Sequence, residues 1–378
     1  MNSIYFDNAA TSYPKPPSVK SAVLQAMECY GGNPGRSGHK ISLKTAEMVF
    51  SVRERVAKSF GAQVENVVFT QNCTHALNLA IKGVSEYGDR IVISSLEHNS
   101  VLRPAYALSK QGTRVDIALS DGSDEEILEE FLSLINSSTR CVVCTAASNV
   151  TGRIMPISRL AEICKKRGVC FIVDAAQVAG VLPVKVGNGI NFICCAGHKG
   201  LYGTTGTGLL ISDGSYSLNP IIQGGTGTTS GEPWQTPFMP ELLESGTLNT
   251  IGIASLGAGL SYIEQIGIDE IFDHETALCE SFISQISEDK NIEIYRKGES
   301  FAPLVSFNIK NLPSQEVANA LSRQGFMLRG GLHCAVLAHK TIGTMPEGTV
   351  RFSPSVFSSS KHVEMLANTV KKFAKNLV

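Results

Sequence analysis

A carboxylate and an amine stand at the ends of two apolar segments of this chain. Asp174 directly follows the apolar run 169–173, and Lys199 comes soon after the apolar run 190–195, inside a glycine-rich turn. A lysine amine that is removed from water has a lowered pKa and can form a Schiff base with an aldehyde. A carboxylate at a strand end can keep a pyridine nitrogen protonated, so that the ring accepts electrons from a carbanion. The pair therefore predicts a pyridoxal phosphate site, with Lys199 on the aldehyde and Asp174 on the ring.

The motifs around both residues resemble those of a known enzyme family. Asp174-Ala-Ala-Gln177 followed by Ala196-Gly-His-Lys199 resembles the class V aminotransferases, which are fold-type I pyridoxal phosphate enzymes. Arg329-Gly-Gly-Leu-His-Cys334 narrows the resemblance to the group of cysteine desulfurases and selenocysteine lyases, and the resemblance covers essentially the whole chain. It implies an enzyme that converts L-cysteine to L-alanine and leaves the sulfur as a persulfide on Cys334.

Other activities stay open at this point. Within pyridoxal phosphate chemistry, the alternatives are a selenocysteine lyase that takes L-selenocysteine, or another class V lyase or aminotransferase. A different class of protein, a sulfur carrier or scaffold that keeps the fold without catalysis, is a further alternative. The resemblance also implies a place in sulfur metabolism, such as iron–sulfur cluster assembly, and a sulfur acceptor protein or thiol that the sequence does not identify.

Three further side chains are assigned to the cofactor ring. Gln177, three residues after Asp174, is placed to hydrogen-bond the ring hydroxyl oxygen. The resemblance gives Asn149 a contact with the same oxygen, although an isolated asparagine in Ala-Ser-Asn-Val-Thr-Gly would be interpreted as a turn residue. It also gives His98 the position that stacks on the ring and relays protons, and an imidazole pKa near neutrality suits that work.

The phosphate needs hydrogen-bond donors, which a helix N-terminus supplies. A strand leads into a helix that starts near Thr74, so we expect donors from the Cys73 and Thr74 backbone, the Thr74 hydroxyl and His198. The family usually has threonine at position 73 and serine at 196, so Cys73 and Ala196 remove two hydroxyl donors. The resemblance also gives Thr247, in a Glu-Ser-Gly-Thr motif, a contact with the phosphate of the other subunit, which implies a homodimer.

Two arginines and an asparagine are the predicted substrate contacts. Arg351, in Val-Arg-Phe-Ser, matches the family's arginine that holds the substrate carboxylate. A guanidinium suits that role because it can donate two parallel hydrogen bonds to a carboxylate. Arg329 and Asn149 are expected beside it. The following segment, 354–359, departs from the family's usual Tyr-Asn-Thr ending.

Cys334 separates a desulfurase from an ordinary aminotransferase, because only the desulfurase needs a nucleophilic thiol at this position. The attacking species is the thiolate, and a free thiol with a pKa near about 8.5 is only slightly ionised at neutral pH. We expect the neighbouring His333 and Arg329 to stabilise the anion. The pair Gly330-Gly331 predicts that the cysteine lies in a flexible, exposed loop.

The elements that position these residues follow an alternating pattern. Apolar strand-like runs alternate with helical patterns between residues 60 and 215, and this order predicts a mostly parallel sheet covered on both faces. An amphipathic helix is predicted over 46–60, and the clearest later helices span 125–134 and 157–167, the last ending at Gly168. The predicted strands are 67–70, 90–94, 114–118, 140–145, 169–174, 190–195 and 208–212.

After residue 250 the pattern changes to that of a smaller α+β domain. We expect an α/β protein of the fold-type I kind, with a large cofactor-binding domain over 15–250, a small domain over 251–378, and residues 1–14 packed on the small domain. The predicted helices of the second part are 251–265, 274–287, 314–323 and 361–373, and its strands are 292–295, 304–309 and 349–352.

Composition limits the partners and the location. Hydrophobic residues make up 43% of the chain and charged residues 18%, with a formal net charge of −1. No basic excess exists to bind nucleic acid, and no polybasic segment suggests a membrane surface. The first residues lack the charged and apolar regions of a secretory signal, and no run is long enough to span a bilayer. We therefore expect a cytoplasmic enzyme.

The ten cysteines do not form a metal-binding or disulfide pattern. Cys141 and Cys144 have the spacing of a zinc or redox pair, but they lie in an apolar run that predicts a buried strand. Alternation along a strand would put the two thiols on opposite faces of the sheet. We therefore expect no metal site and a reducing compartment.

Overall fold

The structure is a computed structural model that describes residues 3–35 and 38–375. Residues 1–2 and 376–378, which belong to the predicted terminal ranges, lie outside this description. The strands are β1 (Ile4–Tyr5), β2 (Val67–Thr70), β3 (Arg90–Ser94), β4 (Arg114–Ala118), β5 (Thr139–Thr145), β6 (Cys170–Asp174), β7 (Phe192–Ala196), β8 (Gly208–Ser212), β9 (Ile292–Ile294), β10 (Val305–Ile309), β11 (Phe326–Met327), β12 (Arg329–Gly331) and β13 (Thr349–Phe352). The α-helices are α1 (Pro17–Cys29), α2 (Lys40–Phe60), α3 (Cys73–Val84), α4 (Asn99–Ser109), α5 (Asp124–Leu134), α6 (Ile157–Arg167), α7 (Thr250–Ile266), α8 (Ile268–Ile286), α9 (Ser314–Arg323), α10 (Val336–Thr341) and α11 (Ser360–Lys375).

The larger sheet has seven strands in the order β2-β8-β7-β6-β5-β3-β4. β8 runs antiparallel to both of its neighbours, and the other neighbouring strands are parallel. The prediction of a mostly parallel sheet is therefore confirmed. Parallel strands are joined by helices that cover the sheet, which is why the central strands β5, β6 and β7 are largely apolar instead of alternating.

Both faces of this sheet are buried in separate hydrophobic cores. Val142 and Cys144 of β5 belong to the core on one face, whereas Cys141 and Val143 belong to the core on the other face. The predicted separation of the two cysteines is confirmed, so they cannot act as a metal-binding pair. Among the described residues no group of three or more potential metal ligands comes together.

The smaller sheet consists of β12, β13, β10 and β9 in that order, and all its neighbouring strands are antiparallel. Residues of α8, α9 and α11 complete its core. β1 pairs with β11 in parallel, so the N-terminal segment is attached to this part of the molecule. The pairing places the residues that follow β1 beside Ser353, at the end of β13.

Helix α7 connects the two parts of the molecule. Leu256 of α7 and Ile271 of α8 belong to a core of the larger sheet, whereas Phe282 of α8 belongs to the core of the smaller sheet. Core membership therefore changes within α8, and the domain boundary at residue 250 stays a prediction. In the described part of the chain, no single helix is both long enough and apolar enough to span a membrane. Helices α7 and α8 meet these two criteria only when they are taken together, and the pair is bent by 82°.

Candidate active site

Eight of the predicted cofactor residues line one cavity of about 160 Å³. The cavity lies where the carboxyl ends of β5, β6 and β7 meet the beginnings of α3 and α4. Because the carboxyl ends of parallel strands share one edge of a sheet, residues distant in sequence come together there. The predicted residues that line it are Cys73, Thr74, His98, Asn149, Asp174, Gln177, His198 and Lys199.

Asp174 is the last residue of β6 and is only 4% exposed. Its Oδ1 accepts hydrogen bonds from the Ala176 backbone N–H at 2.9 Å and from the Cys73 thiol at 3.4 Å. Burial raises the pKa of Asp174, although the Ala176 hydrogen bond and the Lys199 charge oppose the rise. Neither hydrogen bond comes from a cation, and a buried carboxylate is costly without one. The carboxylate therefore suits a protonated ring nitrogen.

Lys199 lies in a turn after β7 whose backbone packs closely against its surroundings. A Cβ atom at Gly197 would lie 2.3 Å from Oγ1 of Thr207, so this position requires glycine. Burial, and after it the charge of Arg351, lowers the pKa of the Lys199 amine, while Asp174 raises it. A lowered pKa favours the neutral amine, which is the form that can attack an aldehyde.

The N-terminus of α3 contributes donors to the same cavity. Asn72 caps the helix, with its side-chain oxygen accepting from the His75 N–H at 2.9 Å. The N–H groups of Cys73 and Thr74 lie in the first turn, where no intrahelical acceptor exists. The Thr74 hydroxyl lies 2.6 Å from Oγ of Ser100, which also lines the cavity. The structure brings the predicted phosphate donors to one cavity, together with Ser100, a hydroxyl that the sequence prediction did not include, and their contact with a phosphate stays a prediction.

Cys73 and Ala196, the two positions where the family usually has a hydroxyl, supply no side-chain donor to the anion site. The Cys73 thiol donates to Asp174, so it is directed at the carboxylate instead of at the anion site. Ala196 ends β7 and offers no side-chain donor. His198 has a buried Nδ1 with no partner among the described residues, and burial lowers its pKa to about 4. Neutral His198 and the hydroxyls of Thr74 and Ser100 are therefore the side chains left to supplement the backbone donors.

His98 caps α4, and its environment differs from the prediction. Its Nδ1 accepts from the Ser100 N–H at 3.0 Å, which assigns the ring proton to Nε2. Burial, together with nearby cations of which Lys199 has the largest effect, lowers the pKa of His98 to about 4. The prediction of a pKa near neutrality is wrong, because desolvation and positive neighbours both disfavour the imidazolium. His98 is a neutral ring that can stack and can donate from Nε2.

Arg351 is held in place by two acceptors. It is 1% exposed, and its Nη1 donates to the Asn149 carbonyl at 3.0 Å while Nη2 donates to the Asp7 carboxylate at 2.8 Å. Asp7 was missed at the sequence level, although it follows a short apolar run just as Asp174 does. A guanidinium fixed in this way needs no reorganisation to receive a substrate carboxylate on its remaining N–H groups.

The two amides predicted near the ring connect the cavity to distant segments. Nδ2 of Asn149 donates to the His333 carbonyl at 2.8 Å, which joins the cavity wall to the segment that contains Cys334. Nε2 of Gln177 donates to the Ala9 carbonyl at 3.2 Å, which joins it to the N-terminal segment. Both amides line the cavity, and their contact with a ring oxygen stays a prediction.

Cys334 is an exposed residue in the short segment 332–335 between β12 and α10. Its carbonyl accepts from the Asn99 N–H at 2.7 Å, so the segment is attached beside His98 at the cavity wall. Nη2 of Arg329 lies 3.7 Å from the Cys334 sulfur. The thiol is therefore exposed and beside a guanidinium, as the sequence predicts, and the guanidinium can stabilise a thiolate.

Two expectations about this segment are wrong. Gly330 and Gly331 belong to β12 and pair with β13, so they form part of a sheet instead of a flexible loop. His333 is 2% exposed, with Nε2 at 2.9 Å from the Thr349 carbonyl, and burial drives its pKa well below the usual range. A buried neutral imidazole cannot stabilise an anion by charge, so this role falls to Arg329.

Thr247 does not line the cavity of its own chain. It is exposed, and its hydroxyl accepts from Nδ2 of Asn33 at 3.4 Å. Glu244 of the same motif is buried and accepts from both Nη atoms of Arg53, at 2.7 and 2.9 Å. The glutamate thus anchors the motif internally while the threonine is directed outward, which is compatible with a contact to a second subunit.

Two buried carboxyl groups near the cavity were not singled out from the sequence. Glu97 accepts from the Ser94 hydroxyl at 2.5 Å and from the Thr145 N–H at 2.7 Å, and burial raises its pKa to about 8. Glu275 lines a chamber of about 40 Å³ that also touches Lys199, and burial raises its pKa to about 8. At neutral pH both groups are mostly protonated. Glu97 precedes His98 in the sequence and was within reach of motif analysis, whereas Glu275 gave no such signal.

The assembled groups fit pyridoxal phosphate. The start of α3 offers N–H donors for a phosphate, and Asp174 is a buried carboxylate that has no cation bonded to it. Lys199 supplies an amine of lowered pKa at the same cavity. These are the partners that the phosphate, the ring nitrogen and the aldehyde of this cofactor require.

Comparison with known proteins gives a consistent picture along the whole chain. The sequence profile of the aminotransferase class V family matches residues 4–366. A probable cysteine desulfurase from Methanothermobacter thermautotrophicus is 31% identical over 380 residues, which cover 98% of this chain and 94% of that protein. A probable cysteine desulfurase from Pyrococcus abyssi is 33% identical over 390 residues, with 99% and 95% covered.

Solved structures agree with the sequence comparison. The apo cysteine desulfurase from Thermococcus onnurineus superposes with a TM-score of 0.91 at 33% identity, over 99% of this chain and 95% of that one. A cysteine desulfurase from Escherichia coli, in an S-sulfonic acid form, gives a TM-score of 0.89 at 26% identity, over 100% and 95% of the two chains. The predicted architecture, a large mostly parallel sheet with a smaller α+β part, is that of these proteins.

Proposed function

Because this chain belongs to the class V aminotransferase family, we propose that it is a pyridoxal phosphate-dependent cysteine desulfurase that converts L-cysteine to L-alanine. The observation that carries the proposal is the position of Cys334. Its thiol is exposed beside Arg329, and its backbone is bound to Asn99, next to the cavity that contains Lys199. A thiol in this place can meet the sulfur of an amino acid whose carboxylate is held by Arg351.

The cofactor would be held by groups at three points of the cavity. Lys199 would bind the aldehyde, Asp174 the ring nitrogen, and the Cys73 and Thr74 N–H groups with His198 the phosphate. Bound pyridoxal phosphate supplies an electrophilic carbon for the substrate amine and a ring that withdraws electrons from the neighbouring carbon. The Asp174 carboxylate favours the protonated ring nitrogen, since the pairing relieves the cost of its own burial.

The protein's own residues orient the substrate and move its proton. Arg351, fixed by Asp7 and Asn149, binds the substrate carboxylate and sets the direction of the side chain. Lys199, whose amine has a lowered pKa, accepts the proton from the substrate Cα and can return it. His98 remains neutral and donates from Nε2, because its Nδ1 is occupied by the Ser100 N–H.

Sulfur transfer takes place at Cys334. Its thiolate attacks the substrate sulfur, and an S–S bond forms as the C–S bond of the substrate breaks. The electron pair of the broken bond stays on the carbon that becomes the methyl group of alanine after protonation. The enzyme thiol and L-cysteine thus give L-alanine and a persulfide, which an acceptor protein or a small thiol then removes.

We also infer that the enzyme is a homodimer. Thr247 is directed outward on an anchored motif, and three large apolar side chains are strongly exposed: Phe50 at 54%, Phe238 at 66% and Trp234 at 81%. Contact with a second subunit would remove such apolar groups from water, which is favourable. Light scattering is expected to give twice the chain mass of 40.5 kDa, and a monomeric mass for the holoenzyme would contradict the inference.

The proposed activity is tested by measuring alanine from L-cysteine and from L-selenocysteine side by side, with added pyridoxal phosphate and a reducing thiol. The protein is expected to form alanine from L-cysteine. Asp174→Asn should lower kcat about 10²–10³-fold, since an amide cannot stabilise a positive ring nitrogen and a preorganised electrostatic partner contributes roughly 3–4 kcal/mol. The amide oxygen can still accept from Ala176 and Cys73, so the fold should be retained.

Cys73→Val is the matched control, because it removes the thiol that donates to Asp174 without removing the negative charge. Its kcat is expected to stay within about threefold of wild type. Alanine from L-selenocysteine alone would identify a selenocysteine lyase. Transamination of another amino acid without consumption of L-cysteine would identify an aminotransferase, and a folded protein without any turnover would identify a carrier or scaffold.

A further inference from the structure

A second cavity, of about 230 Å³, lies between the larger and the smaller sheet. It shares no lining residue with the cavity that contains Lys199. One wall comes from the segments that follow β3, β4 and β5, and the opposite wall from β9 and the residues after it. Its lining includes Leu96, Asp121, Arg153, Ile294, Arg296 and Ile342.

Arg153 is a buried arginine of this cavity with N–H groups that are unpaired within the described part of the chain. It is 1% exposed, and its Nη2 donates to the Asp124 carboxylate at 2.6 Å. Its Nε and Nη1 have no acceptor among the described residues. The backbone at Gly298 lies over the guanidinium, since a Cβ there would come within 2.3 Å of Arg153 Nε. Buried donors without partners are destabilising, and more so when the group is charged. An acceptor in the cavity would relieve that cost.

A second guanidinium, that of Arg296, also has a buried N–H group without an acceptor in residues 3–35 and 38–375. Arg296 donates through Nη1 to Glu280 at 2.7 Å, and its guanidinium carbon lies 4.3 Å from the centre of the Phe301 ring. Its Nε is buried and has no partner among the described residues. Two fork-shaped donors therefore border one small cavity, and a fork of N–H groups matches the two oxygens of a carboxylate.

The charges around the cavity disfavour a ligand with two or more negative charges. Each cation already has an acidic partner: Arg153 has Asp124, Arg296 has Glu280, and Lys297 has Asp121. Asp121 itself lines the cavity. The local charge is therefore balanced, and a dianionic phosphate would be repelled by Asp121 without an unpaired cation to offset the repulsion.

Three aliphatic side chains also line the cavity, together with the neutral polar residues Ser120, Thr151 and Tyr295. Leu96 is buried, and Ile294 and Ile342 are partly buried and line the same space, while Thr151 lies two residues before Arg153 in the chain. Pockets for small molecules combine an apolar wall with a few polar groups that fix orientation. We propose that this cavity is a binding site for a small organic carboxylate with an apolar body, whose carboxylate accepts from Arg153.

The cavity is also close to the element that carries the reactive thiol. Ile342 directly follows α10, and the segment containing Cys334 leads into the start of the same helix. The Thr341 hydroxyl donates to the Ser95 carbonyl at 3.2 Å, which attaches the end of α10 to the wall of the larger sheet. A bound ligand would therefore contact both walls of the cleft and the end of α10.

The test uses the holoenzyme and 4-methylpentanoate, whose branched chain matches the three apolar side chains. Isothermal titration calorimetry is expected to give one site per chain with a Kd of roughly 0.1–1 mM, a reasonable range for eight heavy atoms. 4-Methylpentanamide has the same shape without the charge and should bind at least about tenfold more weakly. Inorganic phosphate is also expected to bind at least about tenfold more weakly.

Three variants test whether the binding measured by calorimetry takes place in this cavity. Arg153→Met should weaken binding at least about tenfold, since it removes the fork that holds the carboxylate. Ile342→Phe narrows the apolar end of the cavity without changing the Arg153–Asp124 ion pair, and it should also weaken binding of 4-methylpentanoate. This variant keeps the proposal testable if Arg153→Met does not fold. Arg159→Met is the matched control, because Arg159 pairs with Glu125 at 2.7 Å on the exposed surface, and it should leave the Kd unchanged.

The proposal is overturned by any of three results: no saturable binding of 4-methylpentanoate, equal affinity for the amide or for phosphate, or unchanged affinity in both Ile342→Phe and a folded Arg153→Met. The readout is binding and not turnover. A failure of the desulfurase assay would therefore leave this test unaffected, and the reverse also holds.

Discussion

Replacing Cys334 by serine is expected to abolish persulfide formation and to lower alanine release from L-cysteine at least about 100-fold. A serine hydroxyl is almost entirely protonated near neutral pH, and the adjacent Arg329 guanidinium can stabilise a thiolate but cannot create an alkoxide. The backbone carbonyl at position 334 still accepts from Asn99, so the segment should keep its place. Binding of pyridoxal phosphate and of L-cysteine should persist, since neither uses the thiol.

The decisive measurement is the mass of the peptide that contains position 334 after a single exposure to L-cysteine. Wild type should carry one extra sulfur there, and Cys334→Ser should carry none. Cys29→Ser is the matched control, because Cys29 is the other cysteine that is not fully buried among the described residues. It should behave like wild type. Extra sulfur on Cys29 or on a buried cysteine, or undiminished alanine from Cys334→Ser, would contradict the assigned nucleophile.

The cofactor residues were predictable because their signal is local. Asp174 and Lys199 each follow an apolar run, and a run that ends in a polar group at the carboxyl edge of a parallel sheet directs that group toward a ligand. The same reasoning placed Thr74 at the start of α3. Strand bounds such as 67–70, 90–94 and 208–212 were predicted as observed, because both faces of the sheet are buried there and the runs are largely apolar.

The properties that depend on three-dimensional surroundings were not predictable. The pKa of His98 falls to about 4 because of burial and of cations from distant parts of the chain, including Lys199. His333 is adjacent to Cys334 in sequence, but its ring is buried against Thr349. Adjacency in sequence does not fix the direction of a side chain in an irregular segment, whereas alternation does so within a strand.

Elements with weak local signals were missed for identifiable reasons. Helix α4 contains Pro104, and α1 begins at Pro17 after another proline, so both resemble breaks in a helical pattern. β12 consists of Arg-Gly-Gly, a composition that disfavours a strand and is tolerated because β13 supplies the pairing. Asp7 could be matched to Arg351 only once β1 was seen to pair with β11.

Replacing Lys199 by alanine is expected to remove covalent cofactor attachment and to lower kcat at least roughly 10⁴-fold, since the variant loses both the nucleophilic amine and the proton acceptor. The fold should be retained. The Lys199 carbonyl, which accepts from the Ser12 hydroxyl at 2.9 Å, is unchanged, and the side-chain amine donates no hydrogen bond to any described residue. Removing a partly buried amine that donates no hydrogen bond should leave the midpoint of thermal unfolding of the apoprotein the same or slightly higher.

Attachment is measured by borohydride reduction of the holoenzyme followed by peptide mass analysis, which should place a pyridoxyl group on Lys199. Lys15 provides a demanding control, because burial lowers the pKa of its amine to about 8, so it too is a reactive candidate. Its Nζ is bound to the Ser12 hydroxyl and the His198 carbonyl, each at 2.7 Å, and it does not line the cavity. Lys15→Ala should therefore keep the adduct on Lys199. Two results would contradict the assignment of Lys199: an adduct on Lys15 in wild type, or cofactor that stays covalently attached in Lys199→Ala. Either result would show that the lysine is selected by a lowered pKa and not by its position beside Asp174.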